Sequence, residues 1–286
     1  MKKIASIDIG SNTVRLLILE CDENHKFQIL ASRRVITRLG EGMDVHGKLI
    51  ESRISATISA LSTFRHDCRK NGNPPLYAVA TSAVREASNG KEFINLAREK
   101  TGIEIEIISW EDEARLTLQG VFWKLPHENH KTLTFDIGGG STEFILSKGK
   151  NIVNFCSSPL GVVRLTEKFI HQHPVNNNEY KSLHTHLSNE LQAIKRNLSD
   201  FIPQVLIGTA GTVTTLAALI RNIYPYDPEK IHGTLLTRQE IETLLQDLKI
   251  KSLSERLDLK PLEPGREDLI IAGTAIVLKT MKMFEC

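Results

Sequence analysis

The sequence predicts an α/β chain built from two like halves, and three observations carry that expectation. An aspartate-led, Gly-rich turn is written twice, as Asp8-Ile9-Gly10-Ser11-Asn12-Thr13 and as Asp136-Ile137-Gly138-Gly139-Gly140-Ser141-Thr142-Glu143. Each copy follows an apolar strand pattern, Ile4-Ala5-Ser6-Ile7 in one case and Thr132-Leu133-Thr134-Phe135 in the other. After each turn the pattern gives more strands before any helix, so each half opens as an antiparallel meander. Strand and helix patterns alternate beyond those openings, which is the signature of mixed sheets with helices. The two turns are expected to face one another across a central cleft. A dinucleotide fold of the usual kind is disfavoured, because it needs strand, Gly-x-Gly-x-x-Gly turn and then helix.

The elements follow in order. Residues 4–7 and 14–19 read as strands around the first turn, and 27–36 as a third strand. Arg38-Leu39-Gly40-Glu41-Gly42-Met43 is a polar, Gly-rich loop. Residues 51–70 carry Ile54, Ile58, Leu61 and Phe64 at helical spacing, and Asn71-Gly72-Asn73-Pro74-Pro75 stops them. A strand at 76–80 runs into Thr81-Ser82-Ala83-Val84-Arg85-Glu86-Ala87; a helix near 89–100 and a strand at 103–108 come next. Glu111-Asp112-Glu113 opens a helix through Leu118, since acidic residues suit a helix N-terminus.

The polar stretch 123–131, with Pro126, reads as the hinge between a domain at 1–125 and a second at 126–286. The second domain repeats strand, turn, strand, strand up to residue 156. A helix follows from Leu160-Gly161, then a helix over 179–198. A strand at 205–207 leads through Gly208-Thr209-Ala210-Gly211-Thr212, a third Gly/Thr turn, into a helix at 213–221. Helices near 238–248, 251–258 and 268–281 complete the chain, the last carrying Gly273.

Composition narrows the function. The chain has 286 residues, with 36 Lys+Arg against 34 Asp+Glu, too even a balance to call for nucleic acid. Cys21, Cys68, Cys156 and Cys286 form no CxxC pair, which argues against zinc and a redox dithiol and for reduced thiols in a cytoplasmic protein. No signal-peptide core or long apolar span is present, so no membrane is expected. His171, His173, His184 and His186 lack an accompanying acidic or cysteine pattern and read as surface residues. Trp110 and Trp123 read as packing residues.

The turns carry the candidate chemistry. Glycine lets an anion approach the backbone, and successive amides can point at phosphate oxygens. A tight hairpin is the ordinary account of one such turn, but it does not explain two copies with aspartate at the same place. Neither copy carries the lysine of a mononucleotide P-loop. Three Gly/Thr turns therefore point to a nucleotide tail or a phosphate chain. The phosphate-binding candidates are Gly10, Ser11, Asn12, Thr13, Gly138, Gly139, Gly140, Ser141, Thr142, Gly208, Thr209 and Gly211, with Arg38. Hydrolysis of a phosphoanhydride also needs charge neutralisation, a metal and a carboxylate for water. Arg85 is the candidate for phosphoryl contact, Asp8 and Asp136 for the metal, and Glu113 and Glu143 for the base.

Taken together, these segments resemble the exopolyphosphatase / guanosine pentaphosphate phosphohydrolase (Ppx/GppA) phosphatase family of the actin-like ATPase superfamily. The resemblance covers essentially all of 1–281 and rests on the two Asp-Gly turns, Arg38 to Gly42, Ala80 to Ala87, Glu113-Ala114-Arg115-Leu116, Leu160 to Glu167, Gly208 to Thr212, His232-Gly233 and Pro264 to Asp268. It implies two ribonuclease H-like domains flanking a cleft. It implies Mg2+-dependent release of terminal phosphate from inorganic polyphosphate, or conversion of pppGpp to ppGpp. It carries the catalytic base onto Glu113, a base or metal partner onto Glu143, and a phosphate ligand onto Arg85. In the usual family pattern a glycine stands where this chain has Trp110 and a glutamate where it has Asp112. The longer members carry a C-terminal HD-type domain, and this chain stops before one, so short polyphosphate or a nucleotide is the expected substrate. A second copy of the chain is a candidate partner. Two other functions remain open from the residues: a small-metabolite kinase of the same superfamily, and a sensor that binds guanosine nucleotide or ATP without turnover.

Overall fold

The computed structural model describes residues 2–23, 26–123, 125, 130–198 and 202–285. The chain divides into two compact units, Met1–Ser109 and Trp110–Cys286.

The first unit runs β1 (Lys2–Ile9), β2 (Thr13–Cys21), β3 (Phe27–Ile36), α1 (Met43–His46), α2 (Glu51–Lys70), β4 (Leu76–Ala80), α3 (Ser82–Glu86), α4 (Gly90–Thr101) and β5 (Ile105–Ile107). Its sheet has the order β3-β2-β1-β4-β5. The β1–β2–β3 meander is antiparallel, while β4 joins β1 and β5 joins β4 in parallel. Alternation along β1 buries Ala5, Ile7 and Ile9 and leaves Ser6 and Asp8 exposed, the period-two pattern of a strand with one face on a core. That core is completed by Leu61, Phe64 and Cys68 of α2 and Phe93 and Ala97 of α4. Gly102 ends α4 at φ 66, a left-handed cap that glycine adopts without strain.

The second unit runs α5 (Trp110–Val121), β6 (Lys131–Ile137), β7 (Thr142–Lys148), β8 (Asn151–Ser158), α6 (Val162–Phe169), α7 (Asn177–Asn197), β9 (Val205–Thr209), α8 (Ala210–Arg221), α9 (Pro228–Ile231), α10 (Arg238–Ile250), α11 (Leu253–Leu257) and α12 (Ile270–Met283). Its sheet has the order β8-β7-β6-β9, again an antiparallel meander with a parallel strand beside its first member. Residues Thr142 to Ser147 of β7 are all buried, as befits a strand covered on both faces. On one face Ile145 packs with Ala114, Leu118, Val121 and Phe122 from α5 and the residue after it. On the other, Phe144 and Leu146 join the main core with Leu183 and Leu187 of α7 and Ile271 and Ile276 of α12. α12 is buried along most of its length, and its Gly273 lets α8 approach: a Cβ there would stand 2.4 Å from Thr212 Cγ2.

The repeated opening and the α/β class are as expected. Three short helices differ from the sequence reading. α1 lies between two left-handed glycines, Gly42 and Gly47, starting at the last residue of the stretch read as loop and running past it. α3 occupies the segment that follows β4. α9 starts at Asp227, whose side chain accepts from the Glu229 amide, with Pro228 at the first helical position where its missing N–H costs nothing. Most of the expected hinge, including Pro126, lies outside the described residues. Trp123, read from sequence as a packing residue, is largely exposed, and Trp110 is half-buried. Cys21, Cys68 and Cys156 are free thiols.

Candidate functional site

Both Asp-led turns close in the same way. The Gly10 amide donates to the Thr13 carbonyl at 3.1 Å, and the Gly138 amide donates to the Ser141 carbonyl at 2.9 Å. The cross-strand register then sets Asp8 opposite Arg15 in the first unit and Asp136 opposite Glu143 in the second.

In the first unit, Ser11, Asn12 and Thr13 are buried and the loop after β3 supports them. The Thr37 and Arg38 amides both donate to the Asn12 carbonyl at 3.0 Å, and the Gly40 amide donates to the Ser11 carbonyl at 2.7 Å. Gly40 is required by this approach, since a Cβ would lie 2.9 Å from Ser11 Cβ. Arg38 itself takes a left-handed backbone, φ 51. Arg53 Nη2 fastens the loop by donating to both carboxylate oxygens of Glu41, at 2.8 and 2.6 Å. Nearby, the Thr81 amide donates to the Ile9 carbonyl at 3.2 Å, which seats the start of α3 beside the turn. Arg85, on α3, donates from Nη1 to the Ile108 carbonyl at 2.9 Å. The unit thus brings together Gly10 to Thr13, Arg38 and the helix that carries Arg85, while Asp8 sits exposed at the end of β1.

In the second unit, α6 docks directly on the Gly138 to Gly140 turn. The Val162 amide donates to the Gly138 carbonyl at 3.0 Å and the Val163 amide to the Gly139 carbonyl at 2.9 Å. Gly161 makes this contact sterically allowed, because a Cβ there would stand 2.2 Å from the Gly139 carbonyl oxygen. Thr142 adds a bond from its hydroxyl to the Leu160 carbonyl at 2.7 Å. The Leu160–Glu167 segment, read in the sequence as the start of a helix, is what buttresses the turn.

Beside that turn lies an acidic cluster. Glu143 is 4% exposed, and its Oε1 accepts from Ser141 Oγ at 2.7 Å and Ser157 Oγ at 3.0 Å. Burial pushes its carboxyl up to about 8, helped by the negative charges of Glu113 and then Asp136 and opposed by the two serine hydroxyls. Asp136 Oδ2 accepts from Thr117 Oγ1 at 3.2 Å. Glu113 and Thr117 are four residues apart on α5, hence on one helix face. Both sequence-predicted glutamates and Asp136 are therefore assembled in this unit, and Ser157 and Thr117 are additions. Their hydroxyls gave no signal in the sequence, because only the β7–β8 register and the seat of α5 bring them in. Cys156 sits one residue from Ser157, and burial, with the Glu143 charge, pushes its thiol up to about 11, so it is a poor nucleophile.

Among the described residues no three His, Cys, Asp or Glu groups converge into a ready metal cage. Mg2+ does not need one: it keeps several waters and takes one or two carboxylates together with substrate phosphate. The donors present are hard oxygens, and a divalent cation would relieve the like-charge crowding that raises Glu143. The cluster fits the ion on those two counts.

The third turn joins β9 to α8. Gly208 is pressed against Phe135 and Val213, where a Cβ would meet ring and methyl carbons at 2.8 to 2.9 Å. Ala210 has φ 70, a left-handed backbone that is unusual without glycine. Gly211 lies under the guanidinium of Arg266, whose Nη2 and Cζ would stand 2.5 and 2.8 Å from a Cβ. Arg266 is 5% exposed and donates from Nε to Glu263 at 2.9 Å. Sequence reasoning did not single it out. Its neighbours Glu263, Glu267 and Asp268 give it the look of a solvated ion pair, and only the fold shows it resting on a glycine.

Comparison with known proteins agrees with this architecture. The family model described as the Ppx/GppA phosphatase family matches residues 17–286. A bifunctional 3-dehydroquinate synthase/phosphatase of Fusobacterium nucleatum is 34% identical over 98% of this chain, which spans 43% of that protein's length. Exopolyphosphatase 2 of Mycobacterium tuberculosis is 29% identical over 98% of this chain and 90% of its own. Among solved structures, the Aquifex aeolicus member of the Ppx/GppA family matches with a TM-score of 0.81 and 37% identity, covering 99% of this chain and 91% of its own. An exopolyphosphatase from Cytophaga hutchinsonii matches with a TM-score of 0.91 and 28% identity, covering 99% and 91%. The α/β fold, with mixed sheets flanked by helices, is the two-domain actin-like architecture of those enzymes. By the span of that match and by its fold, the chain belongs to the Ppx/GppA phosphatase family.

Proposed function

We propose that this chain is a phosphoanhydride hydrolase that releases the terminal phosphate of inorganic polyphosphate or of pppGpp. Family membership and the likeness to solved exopolyphosphatases support an exopolyphosphatase-like enzyme. The single observation that carries the chemistry is the gathering of Asp136 and Glu143, opposite one another across the hairpin, with the Glu113 charge beside a triple-glycine turn.

The environments of the two glutamates divide the work. Glu143 is buried, bonded to two hydroxyls and pushed up to about 8, so near neutral pH without a cation it holds a proton and is no base. Glu113 lies half-exposed on α5, the better placed of the two to meet water. In the proposed step Glu113 takes a proton from water as its oxygen attacks the terminal phosphorus. The bond to the bridging oxygen breaks, and the shortened chain leaves with that electron pair. The Gly138 to Thr142 turn binds the phosphate through the Gly139 and Gly140 amides, since the Gly138 amide and the Ser141 and Thr142 hydroxyls already donate to Ser141, Glu143 and Leu160 respectively; Gly208, Thr209 and Gly211 bind it at the third turn. Gly10 to Thr13, Arg38 and Arg85 have the same role in the first unit, where Asp8 is a further metal candidate. Asp136 and Glu143 would hold Mg2+, whose contribution when bound is to neutralise phosphate oxygens.

The test is phosphate release from tripolyphosphate, long polyphosphate and pppGpp, with and without Mg2+. Glu113→Gln is expected to lower kcat by about 100-fold or more with KM little changed, the mark of a lost base. Release that persists in that variant removes Glu113 from the role. No release from any of the three substrates by the parent chain, with nucleotide still bound, leaves a sensor as the better account.

A further inference from the structure

Arg256 is the largest side chain buried without any solvent exposure, and it does not touch the acidic cluster described above. A guanidinium cannot shed its charge, so burying one is costly unless it is paired or well bonded. Here the bonds reach three separate segments. Nε donates to the Leu248 carbonyl at 2.9 Å, near the end of α10. Nη1 donates to the Glu267 carbonyl at 2.9 Å and meets His173 Nδ1 at the same distance. A guanidinium only donates, so His173 accepts through an unprotonated Nδ1. Read from sequence as a surface residue, His173 is instead half-buried against Arg256.

Glu267 belongs to the loop that leads into α12, and that loop is closed on itself. The Gly265 amide donates to Glu267 Oε2 at 2.6 Å, and the Arg266 amide donates to the Glu263 carbonyl at 3.1 Å. Arg266, itself bonded to Glu263 and stacked on Gly211, is the residue just before Glu267, whose carbonyl Arg256 holds. The helix that follows rests its Gly273 on Thr212. Anything that fixes the carbonyl of Glu267 therefore fixes the floor and the roof of the third Gly/Thr turn together.

We propose that Arg256 is a positioning residue for that turn: by tying α10, the His173 segment and the Glu267 carbonyl together, it holds Arg266 over Gly211 in the geometry that receives a phosphate. The part of this that concerns phosphate rests on the function proposed above; the mechanical part does not. Lysine at this place supplies charge without the rigid planar fork whose Nε and Nη1 are spaced toward Leu248, His173 and Glu267.

The experiment is a double-mutant cycle on the full chain, with hydrogen exchange as a readout that needs no activity. Arg256→Lys is expected to raise KM for tripolyphosphate about tenfold with kcat within about twofold. In an Arg266→Ala background the same change is expected to move KM less than about twofold, because the residue through which it acts is gone. Effects that multiply in the cycle, or an unchanged KM, overturn the proposal. In exchange, Arg256→Lys is expected to lose protection at 208–212 and 263–269; loss confined to 171–175 and 248–256 overturns it. Should Arg256→Lys fail to melt cooperatively, His173→Ala, which deletes only one acceptor, enters the same cycle with the same two outcomes. If the parent chain releases no phosphate from tripolyphosphate, long polyphosphate or pppGpp, the hydrolase reading fails and the exchange pattern alone decides the positioning role.

Discussion

At the scale of single residues, the site depends on atoms that are absent as much as on those present. Gly161 has φ −83, which alanine adopts freely, so Gly161→Ala carries no backbone strain. Its Cβ would nevertheless stand 2.2 Å from a main-chain oxygen that cannot move aside, and the expected cost is about 3 kcal/mol in urea unfolding. Glu143 gives a pH signature. Its folded pKa of about 8 lies above the ordinary 4.5, so between those values the folded chain keeps a proton that the unfolded chain has lost. Stability therefore falls as pH rises across that window, by about 1.4 kcal/mol for each pH unit separating the folded and unfolded pKa. In chelator, Glu143→Gln is expected to melt above the parent at pH 8 and to approach it near pH 4.5. A constant difference between the two proteins across that range would show that burial does not hold the proton on.

At the scale of elements, legibility followed periodicity. α2, α7 and α12 were readable because their apolar residues recur at helical spacing over 20, 21 and 14 residues. The helices α1, α3 and α9 span only four or five residues, too few for a period to register. The second turn stood out because three glycines, two hydroxyls and the carboxylates of Asp136 and Glu143 fall within eight residues, whereas Glu113 was set apart from its acidic neighbours by the resemblance of Glu113-Ala114-Arg115-Leu116 to the family. Arg256 and Arg266 were not, since nothing local marks a buried arginine; their burial comes from segments distant in sequence. α8 carries a prediction of its own. Its first residue, Ala210, sits at φ 70, where a β-carbon costs about 1–2 kcal/mol, partly offset by the looser unfolded chain that glycine brings. Ala210→Gly is expected to raise stability by about 0.5–1 kcal/mol in thermal melts, and a loss would mean that the methyl group is packed to advantage.

At the scale of the molecule, the placement of α5 decides which unit holds the acidic cluster. The helix packs on β7 and β8 through Ala114, Leu118 and Val121, and its unit begins at Trp110 rather than at the hinge read near residue 126. A fragment of residues 110–286 is expected to melt cooperatively and to keep a carboxyl titrating near 8, seen by carbon NMR of labelled glutamate. A fragment of 126–286 lacks the cover over Ile145 and one of the charges that raise Glu143, so it is expected to melt lower and to titrate lower. Equal behaviour of the two fragments would mean that α5 is an accessory to the unit and not part of it. Among the described residues no helix is long and apolar enough to cross a membrane.

The two Asp-led hairpins close with the same amide-to-carbonyl bond and keep the same register, yet two residues beyond the turn one carries Arg15 and the other Glu143. The likeness of the halves thus lies in backbone bonding, while the side chains differ down to the sign of the charge. Substitution scoring penalises an arginine aligned with a glutamate, whereas a comparison of hydrogen-bond closure and strand register superposes the two hairpins residue for residue.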